Sequence, residues 1–390
     1  MANSYIISGV RTPIGAFLGG FKSFSATDLG GVVVKESLSR AGVGPEQIDE
    51  VIMGNVVQAG VGQAPARQAA LKGGLPSSIA AVTVNKVCGS GLKAVMMADQ
   101  VIRCGDATLI VAGGMENMSA APHLMHGIRN GVKLGDAKLV DAMVADGLTC
   151  SFEKCHMGMH AEHIANKFDV SREDQDQFAL TSQQRAAKAM EDGVFADEMI
   201  AVTVPGRRGD TVVEADEGPR PDSTIEGLAK LRPVFDKEGT VTAGNASILS
   251  DGAAALVVAS EEAAASAPWK FKILAHHTSG TEPKDLFIAP VAAVQGALEK
   301  AGLSADDVDL FEINEAFASQ MVACLKELNL DQSRVNIYGG GISIGHPIGA
   351  SGARVLVTLI HALLRTGGST GVASLCLGGG NAVAMVIQKA

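Results

Sequence analysis

The chain repeats itself. Residues 41–53, AGVGPEQIDEVIM, share the pattern of residues 301–313, AGLSADDVDLFEI, each reading as a helix end, an acidic turn and a buried strand. Val84-Asn85 leads into a glycine-rich turn and an apolar helix, and Val335-Asn336 does the same. TLIVAGG at 108–114 is matched by ASLCLGG at 373–379, a short apolar strand running into glycines. Three echoes in one order predict a duplicated α/β unit, which restricts the fold to two like halves.

The helix signals after each turn, GLKAVMMADQVIR at 91–103 and ARVLVTLIHALL at 353–364, are apolar around most of their circumference. That suits helices buried between two layers rather than lying on a surface. Short apolar strands alternating with such helices predict an α/β fold with sheets covered on both faces. Residues 120–245 break the pattern: they are richer in charge and carry a polar helix signal, SREDQDQFALTSQQRAAKAMEDG, opened by Ser171, Glu173 and Asp174 in a capping arrangement. DGAAALVVA at 251–259 returns to strand character and rejoins the first sheet. The expected division is a first half of residues 1–119 with 246–268, an insertion of 120–245, and a second half of 269–390.

Composition removes several function classes. With 47% hydrophobic and 19% charged residues in 390, the chain is too apolar for intrinsic disorder. Lys and Arg number 32 against 42 Asp and Glu, and aromatics are only 4%, which argues against nucleic-acid binding. Six cysteines with no CxxC spacing read as reduced thiols. No stretch approaches the roughly 20 apolar residues of a membrane span, and MANSYIISGVRTPIG lacks the plan of a secretory signal, so the expected location is the cytoplasm.

Cys88, in NKVCGSGLKA, stands at a helix N-terminus, where the helix dipole is expected to draw its thiol pKa toward neutrality and make it a nucleophile. A buried packing cysteine is the competing reading. His346 lies in GHPIGASG, a turn stiffened by Pro347 and opened by glycines; a held imidazole there can activate a thiol, or serve as an ordinary turn histidine. Cys376 closes the last buried strand before a run of glycines whose N–H groups can face a ligand. Asn314, with Glu315 in EINEAFA, follows the strand of the second echo and suits either polarisation of a carbonyl or capping of the next helix. Cys104, Cys150, Cys155 and Cys324 read as packing or surface thiols. His156, His160 and His163 share a helical pattern, but HMGMH lacks the acid of HExxH, and no metal site is assigned.

Taken together, NKVCGSGLKA, GGMENMS at 113–119, VTAGNASILSDGAAA at 241–255, NEAFA at 314–318, GHPIGASG and CLGGG resemble the thiolase family, and the resemblance runs along the whole chain. It implies two αβαβα-layered halves with a loop domain inserted in the first. It implies reversible Claisen chemistry without a cofactor: two acetyl-CoA give acetoacetyl-CoA and CoA, coenzyme A being substrate and product. Cys88 would carry the acetyl group, His346 would activate the thiol and steady the enolate oxygen with Asn314 through a held water, and Cys376 would move the α-proton. The N–H groups of Cys88 and Gly378 would form a second oxyanion hole. CoA would lie on the insertion and its return: Ser247, Ala243 and Gly244 on the pantetheine, Phe235 and Leu148 around it, and Arg220, within a patch of Arg207 and Arg208, near the adenine or phosphates. Ala316 and Phe317 complete the substrate-binding set.

His156-Met157-Gly158 resembles the short-chain branch of the family, where these residues narrow the acyl pocket. A broader-chain degradative thiolase shares Cys88, His346 and Cys376, and a non-catalytic acyl-CoA binder on the same scaffold is the reading from another class. A homotetramer is implied by the resemblance alone.

Overall fold

The computed structural model describes residues 2–207 and 209–390. Arg208, named above for the cationic patch, lies outside them. Nine strands are Ser4–Arg11 (β1), Glu50–Gly54 (β2), Ala80–Val84 (β3), Leu109–Asn117 (β4), Ser250–Ser260 (β5), Phe271–Gly280 (β6), Leu310–Ile313 (β7), Thr370–Leu377 (β8) and Asn381–Lys389 (β9). They run in the order β7-β8-β9-β6-β1-β5-β4-β2-β3, with the two-residue strand Gly15–Ala16 added on β5.

The duplication is visible in this order. In the first half β2 and β4 are parallel, and β4 pairs antiparallel with β5, which pairs antiparallel with β1. In the second half β7 and β8 are parallel, and β8 pairs antiparallel with β9, which pairs antiparallel with β6. The partner of β3 in the second half is reduced to one parallel bridge, Phe311 to Val335. Repetition reaches single atoms. Helix α1 (Ala26–Ala41) ends on Gly42 at φ 67°, and its counterpart Ala289–Ala301 on Gly302 at φ 71°, the left-handed cap that glycine tolerates. Asp49 accepts the N–H groups of Thr108 and Leu109, and Asp309 those of Ser369 and Thr370.

Strand alternation sorts the core into layers. Tyr5, Ile7, Val51, Met53, Val111 and Val257 point to one side, where they pack with α1 and α2 (Pro65–Lys72). Ile6, Ile52, Ile110 and Leu256 point to the other, into a core shared with α3 (Ser90–Cys104) and with Ser351–Thr366 of the second half. The insertion supplies α4 (Met157–Lys167), α5 (Arg172–Glu191) and α6 (Ile225–Ala229), with α5 opened by a capping box between Ser171 and Asp174. The second half supplies α7 (Ala289–Ala301), α8 (Ala318–Leu328) and α9 (Ser351–Thr366), of which α7 covers β6 and β9. The two half-sheets are joined, because β1 and β6 pair across the midline through Tyr5 with Lys272 and Ile6 with Phe271.

Helices α3 and α9 form the central layer, and they meet backbone to backbone. A Cβ on Gly91 would lie 2.6 Å from the Ala353 nitrogen, and one on Gly352 only 2.3 Å from the Leu92 nitrogen. Glycine is required at both crossings. The insertion is fastened to this frame by Arg11, fully buried at the end of β1. Its guanidinium takes Asp216 through both Nη atoms, at 2.6 and 2.9 Å, and Glu198 through Nε. Asp216 also accepts the Ile14 N–H, and Glu198 the Thr358 hydroxyl of α9. Replacing Arg11 with Ala leaves two buried carboxylates without a counter-charge, and loss of about 3–5 kcal/mol is expected. A urea unfolding curve with an unchanged midpoint would refute this account of the attachment.

Candidate active site

Cys88 lies in the turn between β3 and α3. That turn is tightly bonded: the Ser90 hydroxyl donates to the Val87 carbonyl at 2.6 Å and accepts the Lys86 N–H at 2.9 Å, and Asn85 Oδ1 accepts the Val87 N–H at 3.0 Å. Val87 is held at φ 46°, a region costly for a β-branched residue. Cys88 is the next residue, presented at the start of the helix as expected, but its thiol is not acidified. Burial among apolar groups pushes it up to about 12, against the pull of the N–H groups of Cys88 and Gly378. The helix terminus is outweighed by desolvation.

His346 is buried on the turn before α9. Its main-chain N–H donates to the Ile248 carbonyl at 2.9 Å, and Nδ1 sits 2.6 Å from the Ser351 hydroxyl. Ser351 donates its own proton to the Pro347 carbonyl at 2.9 Å. A serine that has given away its one proton accepts from Nδ1–H, so Nε2 is the unprotonated nitrogen. Burial, helped by the charge of Arg354, lowers the imidazole to about 3. Asn314 is fully buried behind it, Nδ2 lying 3.4 Å from Nε2 and 3.5 Å from Nδ1, against the ring rather than in line with either nitrogen. Asn314 does not cap α8, whose N-cap is Phe317, and its Oδ1 has no protein partner.

Two carboxylates hold the loops. Glu116, from GGMENMS, accepts Asn55 Nδ2 at 2.8 Å and the N–H groups of Val56 and Gly349 at 3.0 and 2.9 Å, tying the His346 loop to the first half. Burial lifts this carboxyl to about 7. Glu315 accepts from Ser182, Asn336 and the Ile342 N–H, and so supports the glycine-rich approach to His346.

These elements enclose a cavity of about 240 Å³ bordered by Cys88, His346, Cys376 and Gly378. Three segments distant in sequence thus share one space. Leu148, His156, Met157, Phe235, Ser247, Ala316 and Phe317 border it as well. His156 caps α4, with Nδ1 accepting the Gly158 N–H at 3.1 Å, and its ring stacks on Phe235 at 4.7 Å. A Cβ on Gly158 would stand 2.2 Å from that phenyl ring, which is why glycine follows His156-Met157. Phe317 meets Phe235 edge-on at 6.2 Å and Phe287 at 5.1 Å. Among the described residues no Asp, Glu, Lys or Arg lines the cavity.

Three residues expected on coenzyme A lie outside this cavity. Arg220 is exposed, its N–H donating to Gln183 Oε1; Ala243 is exposed; and Gly244 packs under Leu228 and Leu231. Arg207 is likewise exposed. Sequence reasoning missed Leu286 and Ile348 on the wall, and the supporting Ser351 and Glu116, although the last three lie inside motifs it singled out. Among the described residues no group of three or more His, Cys, Asp and Glu is placed to hold a metal. His163 instead pairs with Asp285, which Lys167 also reaches.

Residues 4–262 match the thiolase N-terminal domain and residues 267–389 the thiolase C-terminal domain. The chain is 49% identical to the acetyl-CoA acetyltransferase of Pseudomonas aeruginosa and 51% identical to that of Escherichia coli, with both members of each pair covered completely. The crystal structure of the Bacillus anthracis acetyl-CoA acetyltransferase superposes with a TM-score of 0.98 at 42% identity, over 100% of this chain and 99% of that one. The repeated sheet, the cavity at the tips of α3 and α9, and these matches together establish that the chain belongs to the thiolase family.

Proposed function

We propose that the chain is an acetyl-CoA acetyltransferase, condensing two acetyl-CoA into acetoacetyl-CoA and CoA and running the reverse thiolysis. The observation that carries this reading is the convergence of Cys88, His346 and Cys376 on one uncharged cavity, with the N–H groups of Cys88 and Gly378 turned to the thiol sulfur. The relatives named above support it.

In the proposed cycle His346 Nε2 takes the Cys88 proton as the sulfur attacks the thioester carbonyl. The oxyanion of the tetrahedral intermediate is met by the N–H groups of Cys88 and Gly378, a preorganised pair of the kind worth about 3–4 kcal/mol per donor. CoA leaves as a thiol with the proton from His346, and Cys88 keeps the acetyl group. Cys376, having passed its own proton to His346, then removes an α-proton from the second acetyl-CoA. The enolate oxygen is steadied by His346, with a water held at Asn314, and the enolate carbon attacks acetyl-Cys88. Collapse of that adduct frees acetoacetyl-CoA and the Cys88 sulfur, which takes the proton back from His346. No metal or bound cofactor enters the scheme. We further propose that coenzyme A lies along the 120–245 insertion, that the working form is a homotetramer and that it acts in the cytoplasm in acyl metabolism; no helix among the described residues is long and apolar enough to cross a membrane.

The wall of Phe235, Phe287 and Phe317 favours a short acyl group over a long one. Thiolysis of acetoacetyl-CoA is therefore expected to exceed that of a C8 3-ketoacyl-CoA by tenfold or more in kcat/KM, about 1.4 kcal/mol. Equal rates would assign a broad-chain thiolase, and no cleavage of either a non-catalytic binder.

With the thiol at about 12 and the imidazole at about 3, Cys88 and His346 are both neutral at pH 7 in the free protein. The Cys88 thiolate fraction then grows about tenfold per pH unit below its pKa. Alkylation of Cys88 by iodoacetamide, followed by mass spectrometry, is expected to keep rising from pH 7 to pH 10. A plateau below pH 8 would mean a preformed thiolate–imidazolium pair. Ser351→Ala removes the acceptor that fixes the His346 tautomer, and kcat is expected to fall about tenfold, the worth of one buried hydrogen bond, with KM little changed. Wild-type kcat in that variant would show that Ser351 does not orient the ring.

A further inference from the structure

Two thiols outside the catalytic set face one another across a turn. Thr149 and His156 form an antiparallel bridge, and just inside it the Cys150 N–H donates to the Cys155 carbonyl at 2.8 Å. The turn is closed by the Lys154 N–H on the Cys150 carbonyl at 2.9 Å, with Lys154 held at φ 56°. Directly opposed residues of an antiparallel pair stand about 4.5–5.5 Å apart at Cα. That lies inside the roughly 4.4–6.8 Å span of a disulfide. Cys150 is buried and its sulfur accepts the Glu153 N–H at 3.4 Å, while Cys155 is part-exposed with its sulfur 3.6 Å from Nε2 of His160. Neither thiol borders the catalytic cavity.

We propose that Cys150 and Cys155 are a redox modification site, forming a reversible disulfide that clasps the turn between two walls of the acyl pocket. Gly147 and Leu148 border the cavity on one side of the turn, His156 and Met157 on the other. A bond between residues 150 and 155 fastens these pairs to each other. With a peroxide as the two-electron oxidant, His160 accepts the Cys155 proton and the sulfur attacks one peroxide oxygen. The O–O bond breaks, leaving a sulfenic acid and releasing the other oxygen as water once it regains the proton. The Cys150 sulfur then displaces hydroxide from the sulfenic acid, and that hydroxide leaves with the Cys150 proton as a second water. Two electrons pass from the thiols to the peroxide, and a thiol reductant reverses the step. Burial and the neighbouring Cys150 and Glu153 raise the Cys155 thiol, so the oxidation is faster above neutral pH.

The sequence offers a direct test on the whole protein, independent of the acyl-transfer reading. Trypsin cleaves after Lys138, Lys154 and Lys167, placing Cys150 in peptide 139–154 and Cys155 in peptide 155–167. After hydrogen peroxide at pH 8 and digestion without reductant, the two peptides are expected as one joined species. Dithiothreitol should separate them, and Cys155→Ser should abolish them. His160→Asn should slow their appearance about tenfold while leaving acetoacetyl-CoA thiolysis in the reduced protein unchanged. Two separate peptides with free or over-oxidised thiols, or either cysteine joined to a different one, would overturn the proposal. In the joined form KM for acetoacetyl-CoA is expected to shift at least twofold, and an unchanged KM would refute the clasp even if the bond forms.

Discussion

The site depends on how closely two helices can approach. Because Gly91 and Gly352 carry no side chain, α3 and α9 touch along their backbones, and the turns that start them are brought to one point. The same economy of volume recurs beside them: a Cβ on Gly114 would stand 2.1 Å from the Gly349 carbonyl oxygen of the His346 loop. Each half contributes one helix start, and neither half alone closes the cavity. A residue with a side chain at any of these three glycines separates Cys88 from His346 before it affects any catalytic group directly.

That proximity also removes water, and the removal sets the electrical state of the pocket. Burial disfavours every charged form at once: the Cys88 thiol goes up, the His346 imidazole goes down, and the Cys376 thiol rises well above its ordinary value. Arg354, buried within one turn of Ser351 and 3.7 Å from Glu312, adds to the resistance of His346 to protonation. The resting site is consequently a neutral one fitted with oriented dipoles. In the proposed cycle charge arises only as bonds form, beside the N–H groups of Cys88 and Gly378, which is the condition for electrostatic preorganisation.

Much of this was legible in the chain. The three echoes anticipated the repeated strand order down to Asp49 and Asp309, and the apolar circumference of residues 91–103 and 353–364 anticipated the central helix layer. Cys88, His346 and Cys376 stood out at strand or helix ends among glycines, and Gly378 followed only from the family resemblance. The acidity of Cys88 was misjudged because a helix terminus can be read from neighbours in sequence, whereas desolvation is a property of the closed cavity. Ser351 and Glu116 act through bonds to residues 5 and 233 positions away, and no local pattern carries such a partner.

One pairing bears on how the chain reaches this state. Strand β1, at residues 4–11, has β5, at residues 250–260, as its main partner, so the first sheet is assembled from the two ends of a long excursion. Made at about 5–20 residues per second, the chain between them takes roughly 10–50 s to emerge from a ribosome. During that interval β1 and β4 present open edges, while the second half, continuous from 271 to 389, has all its strands in one uninterrupted stretch. The first-made half therefore stays open until β5 has emerged, and that nascent form is the state most exposed to edge-to-edge association and most in need of a chaperone's cover.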